Sequence, residues 1–292
     1  MEWLNNLNPA QREAVLHRDG PCLVLAGAGS GKTRVLTSRL ANLVNEGVRP
    51  SNILAITFTN KAAQEMRERV LRLMPNFGGE WIQTFHAASY RILRRDIQHL
   101  GYRPDFTILD DGDQKVLVKE VLKERSGYEV KPEEVLSMIH RAKNSLQDPD
   151  NYFRELKIPM HKVDIYLKAY HGYQARLKEL NALDFEDLIN LTIRLFTEHP
   201  DVLDAYRQRF RYVMIDEYQD TNRAQYIWAN LLAQESGNLF VVGDPDQSIY
   251  SWRGAEPENI RRFLSDYPGA KVVKLEENYR SSGHILQAAN AV

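Results

Sequence analysis

Residues 22–36 read CLVLAGAGSGKTRVL. An apolar run gives way to Gly27, Ala28, Gly29, Ser30 and Gly31, and then to Lys32, Thr33 and Arg34 at the head of an amphipathic segment. Small residues let backbone N–H groups curl around an anion without obstruction. A helix starting at Lys32 adds favourable potential for negative charge. Ala26, four residues and then Gly-Lys-Thr give the spacing of a phosphate-binding loop (P-loop), with Ala at its first glycine position. In this reading Lys32 reaches the β- and γ-phosphates of ATP, and the Thr33 hydroxyl ligates Mg2+. The plain alternative is a glycine-rich turn with a chance lysine. The apolar run before it and the amphipathic segment after it weigh against that.

A P-loop enzyme needs a metal-holding acid on a second strand. YVMIDEYQD, residues 212–220, offers one. Apolar Val213–Ile215 runs into Asp216 and Glu217. Asp216 at the strand end would hold Mg2+, directly or through water. Glu217 beside it would orient and deprotonate the attacking water. Two adjacent acids alone are usually a solvated turn, but two acids capping a buried strand downstream of a P-loop read as catalytic.

The elements that must position these groups are legible in outline. Short runs rich in Val, Ile and Leu recur at Leu23–Leu25, Ile53–Thr57, Val213–Ile215, Leu239–Val242 and Val272–Leu275. They do not alternate with polar residues, as expected of strands buried on both faces of a parallel sheet. After the second run, Ala63, Met66, Val70 and Leu73 share one helical face. The layout is repeated βαβ, an α/β fold. From about Asp110 to Asn181 no strand is evident, and helical segments punctuated by Pro132, Asp148-Pro149-Asp150 and Pro159 suggest a helical insertion. Asp184 is placed to cap the helix that follows.

Composition bounds the rest. The 292 residues are 43% hydrophobic and 26% charged with net charge −1, so nucleic-acid binding has to rest on a local groove. The single cysteine, Cys22, excludes an internal disulfide and a cysteine zinc site. No run approaches the ~20 apolar residues of a membrane span, and the start has no basic, apolar leader. The default expectation is the bacterial cytoplasm or nucleoid.

AGAGSGKTRVL, AITFTNKAAQEMRERV, QTFHA, IDEYQDTNRAQY, VVGDPDQSIYSWRGA and LEENYRSS stand in the order of the superfamily 1 helicase motifs. The chain resembles the N-terminal part of a UvrD/Rep/PcrA-type DNA helicase over essentially its whole length. The resemblance implies a RecA-like P-loop NTPase parallel sheet (1–109 and 184–280) with an all-helical inserted subdomain (110–183), and the start of a second lobe at 281–292. It also implies an ATP- and Mg2+-dependent motor moving 3′ to 5′ on single-stranded DNA, in repair or replication.

Residue by residue, the resemblance makes Gln11 of LNPAQREAV the reader of the adenine edge, with Arg34 beside the same pocket. Tyr279 stacks on adenine, Arg280 contacts the γ-phosphate, and Gln247 contacts the γ-phosphate or the attacking water. Phe58, Asn60 and Lys61, then Thr84, Phe85 and His86, fall on the DNA path, with Phe58 in a base pocket. Tyr250, Trp252 and Arg253 face single-stranded DNA, where aromatic faces stack on any base. One segment, 241–255, then touches both ATP and DNA. RILRRD at 91–96 reads equally as a phosphate patch or an exposed helix face. The other histidines show no metal-ligand spacing.

The resemblance further implies substrates at single-strand/duplex junctions and repair or replication proteins as partners. These helicases are two-lobed, and this sequence ends just past NYRS. The expectation is a fragment or truncated gene product carrying the first lobe, complete at its N-terminus. Two other functions stand against the motor. One is a P-loop enzyme acting on small molecules, for which no substrate pocket is suggested. The other is a nucleotide- and single-strand-binding module without motor activity.

Overall fold

The apolar runs form strands, and four of them are buried almost throughout. The fifth, Lys271–Leu275, is the edge strand and alternates instead, with Val272 and Lys274 exposed. The computed structural model describes residues 2–79, 81–123, 130–244, 247 and 258–280. Its strands are β1 (Cys22–Ala26), β2 (Ile53–Thr57), β3 (Ile82–Thr84), β4 (Thr107–Ile108), β5 (Ala182–Leu183), β6 (Tyr212–Ile215), β7 (Leu239–Gly243) and β8 (Lys271–Leu275). Six of them form one sheet in the order β3-β2-β6-β7-β1-β8, and every neighbouring pair is parallel. This is the expected α/β fold with a parallel sheet. The chain leaves β1 towards β2 on one side and β7 towards β8 on the other, so the order reverses beside β1. In open α/β sheets ligands bind outside the strands' carboxyl ends at such a point.

Helices pack on this sheet through their apolar stripes. Lys32–Asn45 buries Val35, Leu36, Leu40 and Leu43 in the core. Asn60–Leu73 starts where the Thr59 hydroxyl accepts the Ala62 N–H at 3.1 Å. It buries Ala63, Met66 and Val70 as expected, and Leu73 is half-buried. Cys22 lies in the same core, and burial pushes its thiol up to about 12. No helix among the described residues is long and apolar enough to cross a membrane.

The chain divides into two compact units. The first is Met1–Phe85, Asp204–Thr221 and Ala229–Val292, and the second is His86–Leu203 with Asn222–Trp228. The second is wider than the 110–183 stretch expected from sequence. The reason is packing: Phe185–Glu198 lies against Pro132–Ser145 and against the turn Ile97–Leu100. The second unit has its own core, with Val118, Val135, Ile139, Phe153, Val163 and Tyr173 at its centre. It is also not wholly helical, since β4 and β5 form a short parallel pair. Two-residue strands carry no periodicity to read.

Arg94 of RILRRD is engaged within this unit. Its guanidinium lies over Tyr90 and Phe106, 5.0 and 4.5 Å from the ring centroids. It also donates to the Tyr90 hydroxyl at 2.8 Å. Asp184 caps Phe185–Glu198 as expected, in a reciprocal capping box with Asp187.

Lys143, fully buried, is ion-paired with both Asp184 and Asp187, the latter at 2.8 Å. Gln174 adds a hydrogen bond to Asp187 at 3.2 Å. Burial opposes the Lys143 charge, but the two carboxylates override it and hold the ammonium above the ordinary lysine range. Burial and then Asp184 push Asp187 up to about 6. Folding also brings His140 to within 4.8 Å of Asp184 and Glu186, a grouping invisible in sequence spacing. Its Nε2 lies 2.9 Å from Gln114 Oε1, and Asp184 is held by Lys143.

Removing one partner of a buried ion pair leaves an uncompensated charge. Lys143→Ala strands two buried carboxylates, so it should destabilise the protein by about 3–5 kcal/mol. The check is the urea midpoint at pH 7.5. An unchanged midpoint would mean that the cluster is neutral in the native state.

Candidate active site

Four loops leave the carboxyl edge of the sheet, and each carries residues singled out above. After β1 the chain makes a tight loop in which Gly29 (φ 72°) and Gly31 (φ 88°) take left-handed conformations. The Ser30 hydroxyl and N–H both donate to the Gly27 carbonyl, at 2.7 and 3.2 Å. Gly31 then caps Lys32–Asn45 with no side-chain hydrogen bond. The first-turn N–H groups of that helix are thus left for an anion. Glycine is also required for space. A Cβ on Gly31 would lie 2.7 Å from Gln11 Nε2, and one on Gly29 would lie 2.5 Å from Arg280 Cβ.

Lys32 meets two other residues singled out from the sequence. Its Nζ donates to Glu217 Oε2 at 3.0 Å and to Gln247 Oε1 at 3.1 Å. P-loop, β6 end and β7 end therefore converge on one ammonium. Glu217 itself sits in a left-handed conformation (φ 48°, ψ 46°), which is costly for a residue that carries a Cβ. Asp216 is buried, and its Oδ1 accepts the Glu217 N–H at 2.9 Å. Burial first, and the neighbouring Glu217 charge second, push the Asp216 carboxyl up to about 7. A buried carboxylate with raised proton affinity is a ready partner for a hard cation, and the oxygen donors Asp216 and Thr33 suit Mg2+.

The residues expected around the adenine are tied to the P-loop backbone. Gln11 is fully buried. Its Nε2 donates to the Ser30 carbonyl at 2.8 Å, and its Oε1 accepts the Asn8 N–H at 3.1 Å. Tyr279 is half exposed, its N–H donates to the Gly29 carbonyl at 2.9 Å, and its hydroxyl accepts from Asn8 Nδ2 at 2.8 Å. Arg34, exposed, lies close enough to act on the Tyr279 hydroxyl electrostatically. Asn8 was not singled out in the sequence. It joins Gln11 to Tyr279 and caps Pro9–Leu16. An Asn at an N-cap with Gln three residues on was the available signal.

Among the residues expected on the DNA path, Phe58 is half-buried after β2, and Asn60 and Lys61 are exposed in the next helical turn. Thr84 and Phe85 are buried at the end of β3. Within the second unit, the His86 ring stacks on Phe185 at 3.7 Å between centroids, and Phe185 is half exposed. Burial pushes His86 down to about 4, so it is neutral at pH 7 and offers a ring rather than a charge. Phe185 was missed because nothing in DFEDL marks its partner. Tyr250, Trp252 and Arg253 lie outside the described residues.

Residues 7–268 match the model of the UvrD/REP helicase N-terminal domain. The chain is 51% identical over 296 residues to the ATP-dependent DNA helicase PcrA of Bacillus subtilis, covering all of this chain and 40% of that protein. It is 51% identical over 293 residues to PcrA of Leuconostoc citreum, covering 99% of this chain and 39% of the relative. It is 49% identical over 293 residues to PcrA of Staphylococcus aureus, covering 99% and 40%. The chain thus spans about two fifths of the length of these curated relatives.

Gly31→Ala should separate the loop's shape from its lysine. The added methyl meets Gln11 and forces a side chain into the left-handed region, at about 1–2 kcal/mol. ATP affinity should fall roughly tenfold, measured by titration with a fluorescent ATP analogue. Unchanged affinity would show that the loop relaxes around the methyl.

Proposed function

Because the chain belongs to the UvrD/REP helicase N-terminal domain family, we propose that it is the ATP-hydrolysing lobe of a DNA helicase. In this reading the motor moves 3′ to 5′ on single-stranded DNA in the bacterial cytoplasm or nucleoid, in repair or replication. It works at single-strand/duplex junctions, alongside repair or replication proteins. The observation that carries the reading is the convergence of Glu217 and Gln247 on Lys32 Nζ.

The chemistry follows from that convergence. ATP entering the P-loop formed by Ala26–Thr33 offers Lys32 its β- and γ-phosphates in place of Glu217. Glu217, released, orients the attacking water and takes its proton. Gln247 and Arg280 address the γ-phosphate, and a planar, permanently charged guanidinium suits that task. Gln11, Arg34 and Tyr279 hold the base. When bound, Mg2+ held by Thr33 and Asp216 would neutralise charge on the phosphates. Single-stranded DNA lies on Phe58, Asn60, Lys61, Thr84, Phe85 and His86, with Tyr250, Trp252 and Arg253 completing the path.

A second reading is favoured by the chain's share of its relatives' length, about two fifths. Alone, these residues form a nucleotide- and single-strand-binding module without motor activity. A motor needs two bodies that move against each other as the nucleotide changes, and preorganised charge from both walls of the cleft.

In the full-length protein, Lys32→Ala should abolish ATP turnover. Glu217→Gln should retain ATP binding and lower hydrolysis by about 10²–10⁴-fold. Near-normal turnover by Glu217→Gln would remove Glu217 from the role of base. Strand displacement on a duplex with a 3′ single-stranded tail separates the two readings. The full-length protein should displace the strand, and the 292-residue chain should hydrolyse ATP slowly and displace nothing. Robust displacement by the 292-residue chain as a monomer would overturn the two-body argument.

A further inference from the structure

Gln219 is almost completely buried in the turn Tyr218–Asp220, and both ends of its amide are engaged. Its Nε2 donates to Glu217 Oε2 at 2.8 Å, and its Oε1 accepts the Asp244 N–H at 2.9 Å. The approach to β7 is close enough to dictate the residue there. A Cβ on Gly243 would lie 2.9 Å from Gln219 Oε1 and 3.3 Å from the Gln219 backbone N. Gly243 has no left-handed φ, so its small size serves this contact.

The bonds continue into a closed circuit. The Asp244 carbonyl accepts the Gln247 N–H at 3.1 Å, and its carboxylate accepts from Gln247 Nε2. Gln247 Oε1 accepts from Lys32 Nζ at 3.1 Å, and Lys32 Nζ returns to Glu217 Oε2 at 3.0 Å. Glu217, Gln219, Asp244, Gln247 and Lys32 thus form one ring of hydrogen bonds. Two donors meet on the single oxygen Oε2 of Glu217, and one of them is the lysine that nucleotide would withdraw.

Resting on the reading of Glu217 as the base, we infer that Gln219 is a positioning residue for ATP hydrolysis. It holds the Glu217 carboxylate by Oε2 when Lys32 turns to the phosphates, and fixes that carboxylate to the turn that carries Gln247. The amide is suited to this double task because it donates at one end and accepts at the other. A glutamate at the same position keeps the shape and the acceptor for Asp244 but loses the donor to Glu217. Among the described residues, the charged groups around Glu217 include Lys32 from the P-loop helix and Asp216 and Asp220 from its own turn, and Asp244 from the end of β7 is joined to it through Gln219.

The test compares Gln219→Glu, Gln219→Ala, Glu217→Gln and the double variant Glu217→Gln/Gln219→Glu in the full-length protein, with single-stranded DNA and Mg-ATP. Both Gln219 variants should lower kcat by about 10²-fold, the usual cost of a misplaced reacting group. For Gln219→Ala the KM for ATP should stay within about twofold, because that change adds no charge beside Lys32. In single-turnover assays the double variant should be no slower than Glu217→Gln alone, because Gln219 acts through Glu217. If the alanine variant fails to fold, the isosteric glutamate variant carries the comparison. Unchanged kcat in Gln219→Glu would overturn the inference, and so would rate losses that multiply in the double variant. Normal turnover by Glu217→Gln alone would instead overturn the assignment of the base.

Discussion

Six strands running in one direction leave all their carboxyl ends along one edge, and the candidate site hangs from that edge. The P-loop leaves β1, Asp216 and Glu217 leave β6, Asp244 and Gln247 follow β7, and Asn278 to Arg280 follow β8. None of these segments is near another in sequence, except within its own turn. The shared direction is what lets one lysine of the P-loop touch an acid and an amide from two of the others. It also explains the glycines. Once four loops crowd one edge, a Cβ at Gly29, Gly31 or Gly243 meets a neighbour at 2.5–2.9 Å.

Charge is managed differently in the two units. In the second, Lys143 is paired permanently with Asp184 and Asp187, and the cluster is surrounded by core. Such a cluster is costly to break and does no chemistry by itself. In the first, Lys32 is paired with Glu217 at the mouth of the P-loop, and Glu217 keeps a third of its side-chain surface open. The Lys143 pairs are sealed from solvent and the Lys32 pair is open to it, although both lysines sit 2.8–3.0 Å from a carboxylate. The difference lies in access, which distance alone does not report.

Much of this was legible in the sequence. The unbroken Val/Ile/Leu runs announced β1, β2, β6 and β7, because two-sided burial removes alternation. β8 was found as an apolar run too, but as an edge strand it alternates. Asp184 announced a helix start, because short acidic side chains cap free N–H groups. The P-loop and the acid pair were readable because their residues are contiguous. What escaped was tertiary in origin. Gln219 looked like any turn glutamine, since its partner Asp244 lies 25 positions away. Phe185 and His86 stack only after folding, and the limits of the second unit follow from helix packing that no composition change marks. The buried state of Thr84 and Phe85 was equally hidden, because side-chain exposure at the end of a strand depends on the next loop, and that of Gln11 follows from its bonds to Ser30 and Asn8.

The ring through Lys32 bears on discrimination among anions. A P-loop with a bare ammonium would collect any oxyanion in the cell, including the inorganic phosphate released by turnover. Here the ammonium already has a carboxylate at 3.0 Å and an amide oxygen at 3.1 Å. An incoming anion has to outcompete both and leave Glu217 with another partner. A lone monophosphate brings a single phosphate group to that contest. On the proposed reading, a triphosphate would bring several oxygens to the loop at once and a base to the side of Gln11 and Tyr279. On that reading, selectivity against small anions would come from the same contacts that join Lys32 to Glu217 and Gln247.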